Sequence, residues 1–168
     1  TSYDVYPAPP TQLIIPSKPS AATAGTASGD FTVQRKDEFG NTATSGTTTI
    51  TLSSTSMTGV FRLSNKDVTS ITINSGSSSG TFKYKDTTAG TFTITTNADG
   101  LSPDSASYKV NPAAPSQLVI LSPTDPSIAG TTSGDFTVQR QDVYGNAATS
   151  GTTTIDLSSS STSGVFRD

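Results

Sequence analysis

Seven residues, Gly-Asp-Phe-Thr-Val-Gln-Arg, occur twice in this 168-residue chain, at 29–35 and again at 134–140, so that Phe31 returns as Phe136 at an offset of 105. The same offset carries Leu13 onto Leu118, Gly40 onto Gly145, Ile50 onto Ile155 and Arg62 onto Arg167. Two thirds of the positions in 8–63 are identical to those in 113–168, without an insertion. A period of this length exceeds the coil of a solenoid, about 20–50 residues, and matches one small domain. The first residues obey it too, since Tyr3, Val5 and Pro7 fall on Tyr108, Val110 and Pro112. The chain therefore reads as three pieces: 1–7, the closing strand of a preceding repeat; 8–112, one complete repeat; and 113–168, the first half of the next. The joining segments, VYPAPP and VNPAAP, are short and proline-rich, which makes them semi-rigid spacers.

Within the complete repeat, apolar residues alternate with polar ones in short runs, the pattern of half-buried strands. Eight are marked: Gln12–Ile15, the run containing Phe31 and Val33, that of Thr48, Ile50 and Leu52, GVFRL near Val60, and ITI near Ile71. GTFKYKD, GTFTITT and SASYKV complete the set, with Phe82, Tyr84, Phe92, Ile94 and Tyr108 expected to point inward. Turn sequences rich in Gly, Asp, Asn and Ser separate them: GSSSG, DTTAG and NADG. No segment has helical period. Eight short strands in this length suit an immunoglobulin-like sandwich.

Composition narrows the chemistry. Ser and Thr make up about a third of the chain, and Leu, Ile, Val and Phe only about 19%, which predicts an ordered β protein with a thin core. There is no Cys and no His, hence no thiolate, no imidazole base and no disulfide frame. Glu38 is the only Glu, and neither a GxSxG elbow nor an SxxK motif occurs. The net charge of −3 without a basic cluster excludes a nucleic-acid partner, and no apolar run suggests membrane insertion. These features predict no enzyme, no cofactor and no resident metal.

With GDFTVQRKDEFGN at 29–41 and GDFTVQRQDVYGN at 134–146 in view, the chain resembles bacterial immunoglobulin-like tandem surface repeats. These are the invasin/intimin-like and filamin-like modules of adhesins, surface-layer proteins and extracellular fibres, whose mark is an alternating strand ending in D-x-x-G-N. The resemblance implies an all-β fold of tandem immunoglobulin-like antiparallel sandwiches and an extracellular or cell-surface location. It also places DTTAGTF at the corner before the penultimate strand, with Phe92 where such sandwiches often carry a Tyr.

Asp37, Gly40 and Asn41, repeated as Asp142, Gly145 and Asn146, are read as structural turns, with Asp accepting backbone hydrogen bonds and Gly or Asn tolerating positive φ. A calcium loop is the competing reading, weakened because Glu38 is replaced by Val143 in the second copy. Phe39 and Tyr144 stand in these turns and are expected to be exposed, in contact with a neighbouring repeat or a glycan. Tyr3 and Val5, from a strand without its own domain, are read either as part of a preceding repeat in a longer chain on which this sequence is a window, or as packing against the face containing Phe136 and Val138 of an adjoining copy, by strand complementation. The expected function is a non-catalytic structural repeat of a long extracellular or cell-surface fibre, joined head to tail to copies of itself. The alternative is an adhesion module that binds a glycan or surface receptor.

Overall fold

The structure, a computed structural model, describes residues 3–122 and 127–167. It is all β, and no helix forms among the described residues. The first ten strands are β1 (Gln12–Ser17), β2 (Ala21–Thr23), β3 (Phe31–Lys36), β4 (Thr48–Ser54), β5 (Val60–Leu63), β6 (Lys66–Val68), β7 (Ser70–Ile73), β8 (Ser79–Lys85), β9 (Gly90–Ala98) and β10 (Leu101–Asn111). Alternation decides which faces are buried. In β3, Phe31, Val33 and Arg35 are buried between half-exposed Thr32, Gln34 and Lys36. In β4, Thr48, Ile50 and Leu52 are buried while Thr49 and Thr51 face solvent, where their β-branched side chains fit the pleat.

The strands follow one continuous path, β6-β5-β8-β3-β1-β10-β9-β4-β7 with β2 alongside β10, which folds over a shared core as two layers that meet between β1 and β10. The first strand is divided between them. β1 runs antiparallel to β3, pairing Leu13 with Arg35, and the register breaks between Ile14 and Ser17, where Pro16 has no N–H to donate. The chain then crosses to the other layer, where β2 runs parallel to β10 with Ala22 opposite Val110. A second parallel pairing, Gln12 with Ser102, links the layers along this side. β2 and the β5–β6 hairpin partner are additions to the eight strands marked by the sequence pattern. Each is three residues long, too short to show a period.

Aromatic rings tie the layers together. Phe31 stacks on Phe82 at 5.2 Å, and Tyr108 from the opposite layer meets Phe31 edge-on at 4.9 Å. Tyr84 meets Tyr108 at 6.1 Å, and Phe61 packs on both Phe82 and Tyr84. All the residues expected to point inward lie in this core except Phe92, which is only half-buried and packs against its margin.

In the second copy, β11 (Gln117–Ser122) pairs with β12 (Thr137–Gln141) as β1 pairs with β3, Leu118 facing Arg140. Residues 153–159, the counterpart of β4, pair with no strand. The partners of β4 in the first copy are β7 and β9, and the sequence holds no second version of either. Leu157 and Phe136 are exposed here, whereas their counterparts Leu52 and Phe31 are buried.

Candidate functional site

The strand ends define two poles of the β1–β10 unit. The leading pole carries the Asp37–Asn41 turn, the trailing pole the Ala24–Gly29 loop and the Asp86–Ala89 turn. The site is the joint where the trailing pole meets the second copy.

Asp37 closes its turn from inside. One carboxylate oxygen, Oδ1, accepts the N–H groups of Phe39 at 3.0 Å and Asn41 at 2.7 Å. The other, Oδ2, accepts the Asn41 side-chain amide at 3.1 Å and the N–H of Ala8, from the incoming linker, at 3.0 Å. Asp142 repeats all four bonds, to Tyr144, Asn146 and Ala113, at 2.8–2.9 Å. Burial alone would raise both acids, but the Asn side chain and the surrounding N–H groups outweigh it and hold each below the usual carboxylate value. Gly40 and Gly145 take the positive φ, 81° and 85°, that each turn requires. Asn41 and Asn146 do not share it. Their amides serve as hydrogen-bonding groups, which corrects the expectation that Asn is there for its backbone freedom.

Asn146 extends this network into the preceding repeat. Its Nδ2, already donating to Asp142, also donates to the Thr87 carbonyl at 2.8 Å, and its Oδ1 accepts the Ala89 N–H at 2.9 Å. Only one orientation of the amide satisfies these partners, because a carboxylate and a carbonyl can only accept. Beside it the Tyr144 ring covers Gly25, where an added Cβ would lie 2.5 Å from the ring's Cζ. Gly25 holds φ at 80°, and its N–H is bonded to the Asp86 carbonyl at 2.7 Å.

Beneath that surface lies a buried polar group. The Tyr84 hydroxyl donates to Asp86 Oδ2 at 2.6 Å and accepts from Ser54 at 2.8 Å. Thr58 and the Thr88 N–H donate to Asp86 Oδ1 at 2.5 and 2.9 Å. Burial and the bond to Asp86 push the Tyr84 hydroxyl up to about 12. Burial would also raise Asp86, but the surrounding hydroxyls and the Thr88 N–H bring it below the usual value. The corner that lacks a tyrosine at Phe92 is thus fastened by Tyr84, through a side-chain bond to Asp86. This arrangement fixes the one carbonyl, of Thr87, and the one N–H, of Ala89, that the next repeat contacts.

Tyr144 is 46% exposed and Phe39 75%. Tyr3, Val5 and Phe136 are exposed and Val138 half-buried, and no bond joins the first pair to the second within this chain. Gly25, Thr87 and Ala89 escape sequence reasoning, although one signal was present. Ala24-Gly25-Thr26 returns unchanged as 129–131 directly after the segment that differs most between the copies. Among the described residues no three His, Cys, Asp or Glu side chains gather as metal ligands, and no helix is long and apolar enough to cross a membrane.

No family model and no curated protein matches the sequence. Solved structures do. Domains 4 and 5 of the S-layer protein SbsC match with 22% identity over 60% of this chain and 51% of that one, at a TM-score of 0.44. A glycosyl hydrolase family 2 member from Bacteroides cellulosilyticus matches with 13% identity over 62% of this chain and 15% of its own, at 0.50. The Yersinia pseudotuberculosis adhesin InvE matches with 16% identity over 64% and 34%, at 0.48. The chain spans about half of the SbsC fragment and smaller shares of the other two. These are likenesses of fold: the chain is an all-β protein of immunoglobulin-like sandwich type, and a fold of this kind hosts many functions.

Proposed function

We propose that this chain is a non-catalytic structural segment of a long extracellular or cell-surface fibre, in which sandwich repeats follow one another head to tail. The observation that carries the reading is the joint: Asn146 and Tyr144 bind backbone and glycine of the preceding repeat, so the Pro-rich linker is supported by direct contact. Two flexibly tethered domains would have no use for it. β10 runs the length of the sandwich, eleven residues, or about 36 Å at ~3.3 Å per residue. With the five linker residues 112–116 extended at about 3.1 Å each, successive repeats advance by up to about 50 Å.

Antibodies against 8–112, applied to the native source in immunoelectron microscopy, test this. Labelled extended fibres or surface stalks with an axial repeat near that value are expected. Label confined to the cell interior, or to compact particles, would overturn the reading.

A further inference from the structure

The Asp37–Asn41 turn is built as the Asp142–Asn146 turn is, yet it faces solvent. Asp37 holds Asn41 through the same bonds by which Asp142 holds Asn146. Beyond Asp37, the Asn41 amide has no partner among the described residues, whereas Asn146 continues to Thr87 and Ala89. Phe39 occupies the position of Tyr144, and its ring lies open where that of Tyr144 lies on Gly25. An exposed aromatic beside a pre-aimed amide is an interface half without its other half.

We propose that Phe39 and Asn41 dock on the trailing pole of a second copy of the β1–β10 unit. The occupant must offer three things: a glycine at positive φ under the ring, a carbonyl for Asn41 Nδ2 and an N–H for Asn41 Oδ1. Gly25, Thr87 and Ala89 offer them in this chain. Thr87 and Ala89 present backbone only, so their side chains are free to vary, while the glycine is not. A Cβ there collides with the six-membered ring itself, which Phe and Tyr share, so the missing hydroxyl of Phe39 does not relax the requirement. Gly130, the counterpart of Gly25, also holds a positive φ, 83°, with open space beside it.

The inference rests on the fibre reading and identifies the partner of the leading pole. Its test keeps the full chain and places one additional copy of residues 8–112 directly before residue 8. Amide exchange of Ala89 in the added copy is followed by NMR. That amide should exchange about tenfold more slowly than in the same protein carrying Asn41→Ala, the scale of one hydrogen bond. Because Asn41→Ala also removes a bond to Asp37, Gly25→Ala in the added copy serves as a second variant that leaves the turn intact. It should abolish the same protection. Equal exchange in all three proteins would overturn the docking, and a glycan as the true occupant of Phe39 would give that result. Fibres on the native source without this protection would sink the docking alone; protection without fibres would sink the fibre reading alone.

Discussion

The Tyr144 ring occupies the space into which a side chain on Gly25 would project. Two requirements therefore coincide at one residue: positive φ and no Cβ. Gly40 has the same φ, 81°, with nothing near it, and so separates the two. Gly40→Ala should cost about 1–2 kcal/mol, the backbone term alone. Gly25→Ala should cost more and should open the linker to proteolysis near 111–115. Part of that excess should vanish in a Tyr144→Ala background, because the collision is then absent. Chemical denaturation of the four variants measures the coupling, and strict additivity would mean that the ring does not rest there.

Asn146→Asp places a carboxylate 2.8 Å from Asp142 and turns an acceptor toward the Thr87 carbonyl. Like charges at this distance raise the pKa of the pair. A folded-state pKa above the unfolded value gives stability that is present at low pH and lost as pH rises through the raised value. The variant joint should therefore close in acid and open near neutrality. The unaltered protein should do the reverse, since Asp37, Asp86 and Asp142 are all lowered and lose their contribution as pH falls below the ordinary carboxylate range. Linker proteolysis from about pH 2 to 7 gives the sign directly, the parent opening only at the acid end and the variant toward neutrality. If the variant behaves like the parent across this range, Asn146 does not lie against Asp142.

Because N–H groups already engage both oxygens of Asp37 and of Asp142, a calcium ion would have to displace them. Calcium takes six to eight oxygens, and these turns do not offer them. Thermal unfolding with excess calcium and with a chelator should coincide. A rise of several degrees with calcium would restore the metal reading of the turn.

Tyr84 gives the trailing pole an alkaline limit. Its folded value, about 12, stands above the ordinary tyrosine value near 10. The proton is held more tightly in the fold, so this contribution is complete below about pH 10 and is lost as pH rises toward 12. Tyr84→Phe should flatten the fall in melting temperature between those values. At neutral pH it should cost about 1–2 kcal/mol, since Asp86 and Ser54 each lose a partner. An unchanged alkaline slope would assign the titration to another group.

The sandwich was legible because strand alternation is a local signal: the parity that buries Phe31 and Val33 can be read two residues at a time. The joint is not local. Thr87 and Ala89 contribute backbone atoms to a contact about sixty residues away in sequence, and no side-chain type marks such positions. The division of the first strand was equally hidden, since β2 is defined by its alignment with β10 and not by its own three residues. Asp37 was recognisable as a turn residue, but its bond to the linker N–H at Ala8 depends on the folded path of the chain.

Arg35 was concealed by its charge, although its parity with Phe31 and Val33 puts it inside. It is fully buried, and among the described residues no acid pairs with it. Its guanidinium donates instead to the carbonyls of Ser45 at 3.1 Å, Gly46 at 2.9 Å, Asn74 at 3.3 Å and Ser77, and to the Thr48 hydroxyl at 2.9 Å. Burial lowers its pKa, but arginine starts so high that it stays charged. These acceptors come from the β3–β4 and β7–β8 loops, so one planar fork fastens both loops beneath the leading pole. Lysine offers three donors from a single point and cannot span them. Arg35→Lys should therefore destabilise by about 1–3 kcal/mol through unsatisfied carbonyls. The loop contact from the Gly76 N–H to the Thr44 carbonyl, 2.8 Å, should open with it, and exchange of that amide should accelerate. The matching Arg140 is half-buried and holds only its own β12-side loop, at Thr149, Ser150, Gly151 and Thr153. Arg140→Lys in the same chain should thus cost well under 1 kcal/mol. Equal losses at the two positions would show that the effect belongs to arginine in a strand and not to the clasp between loops.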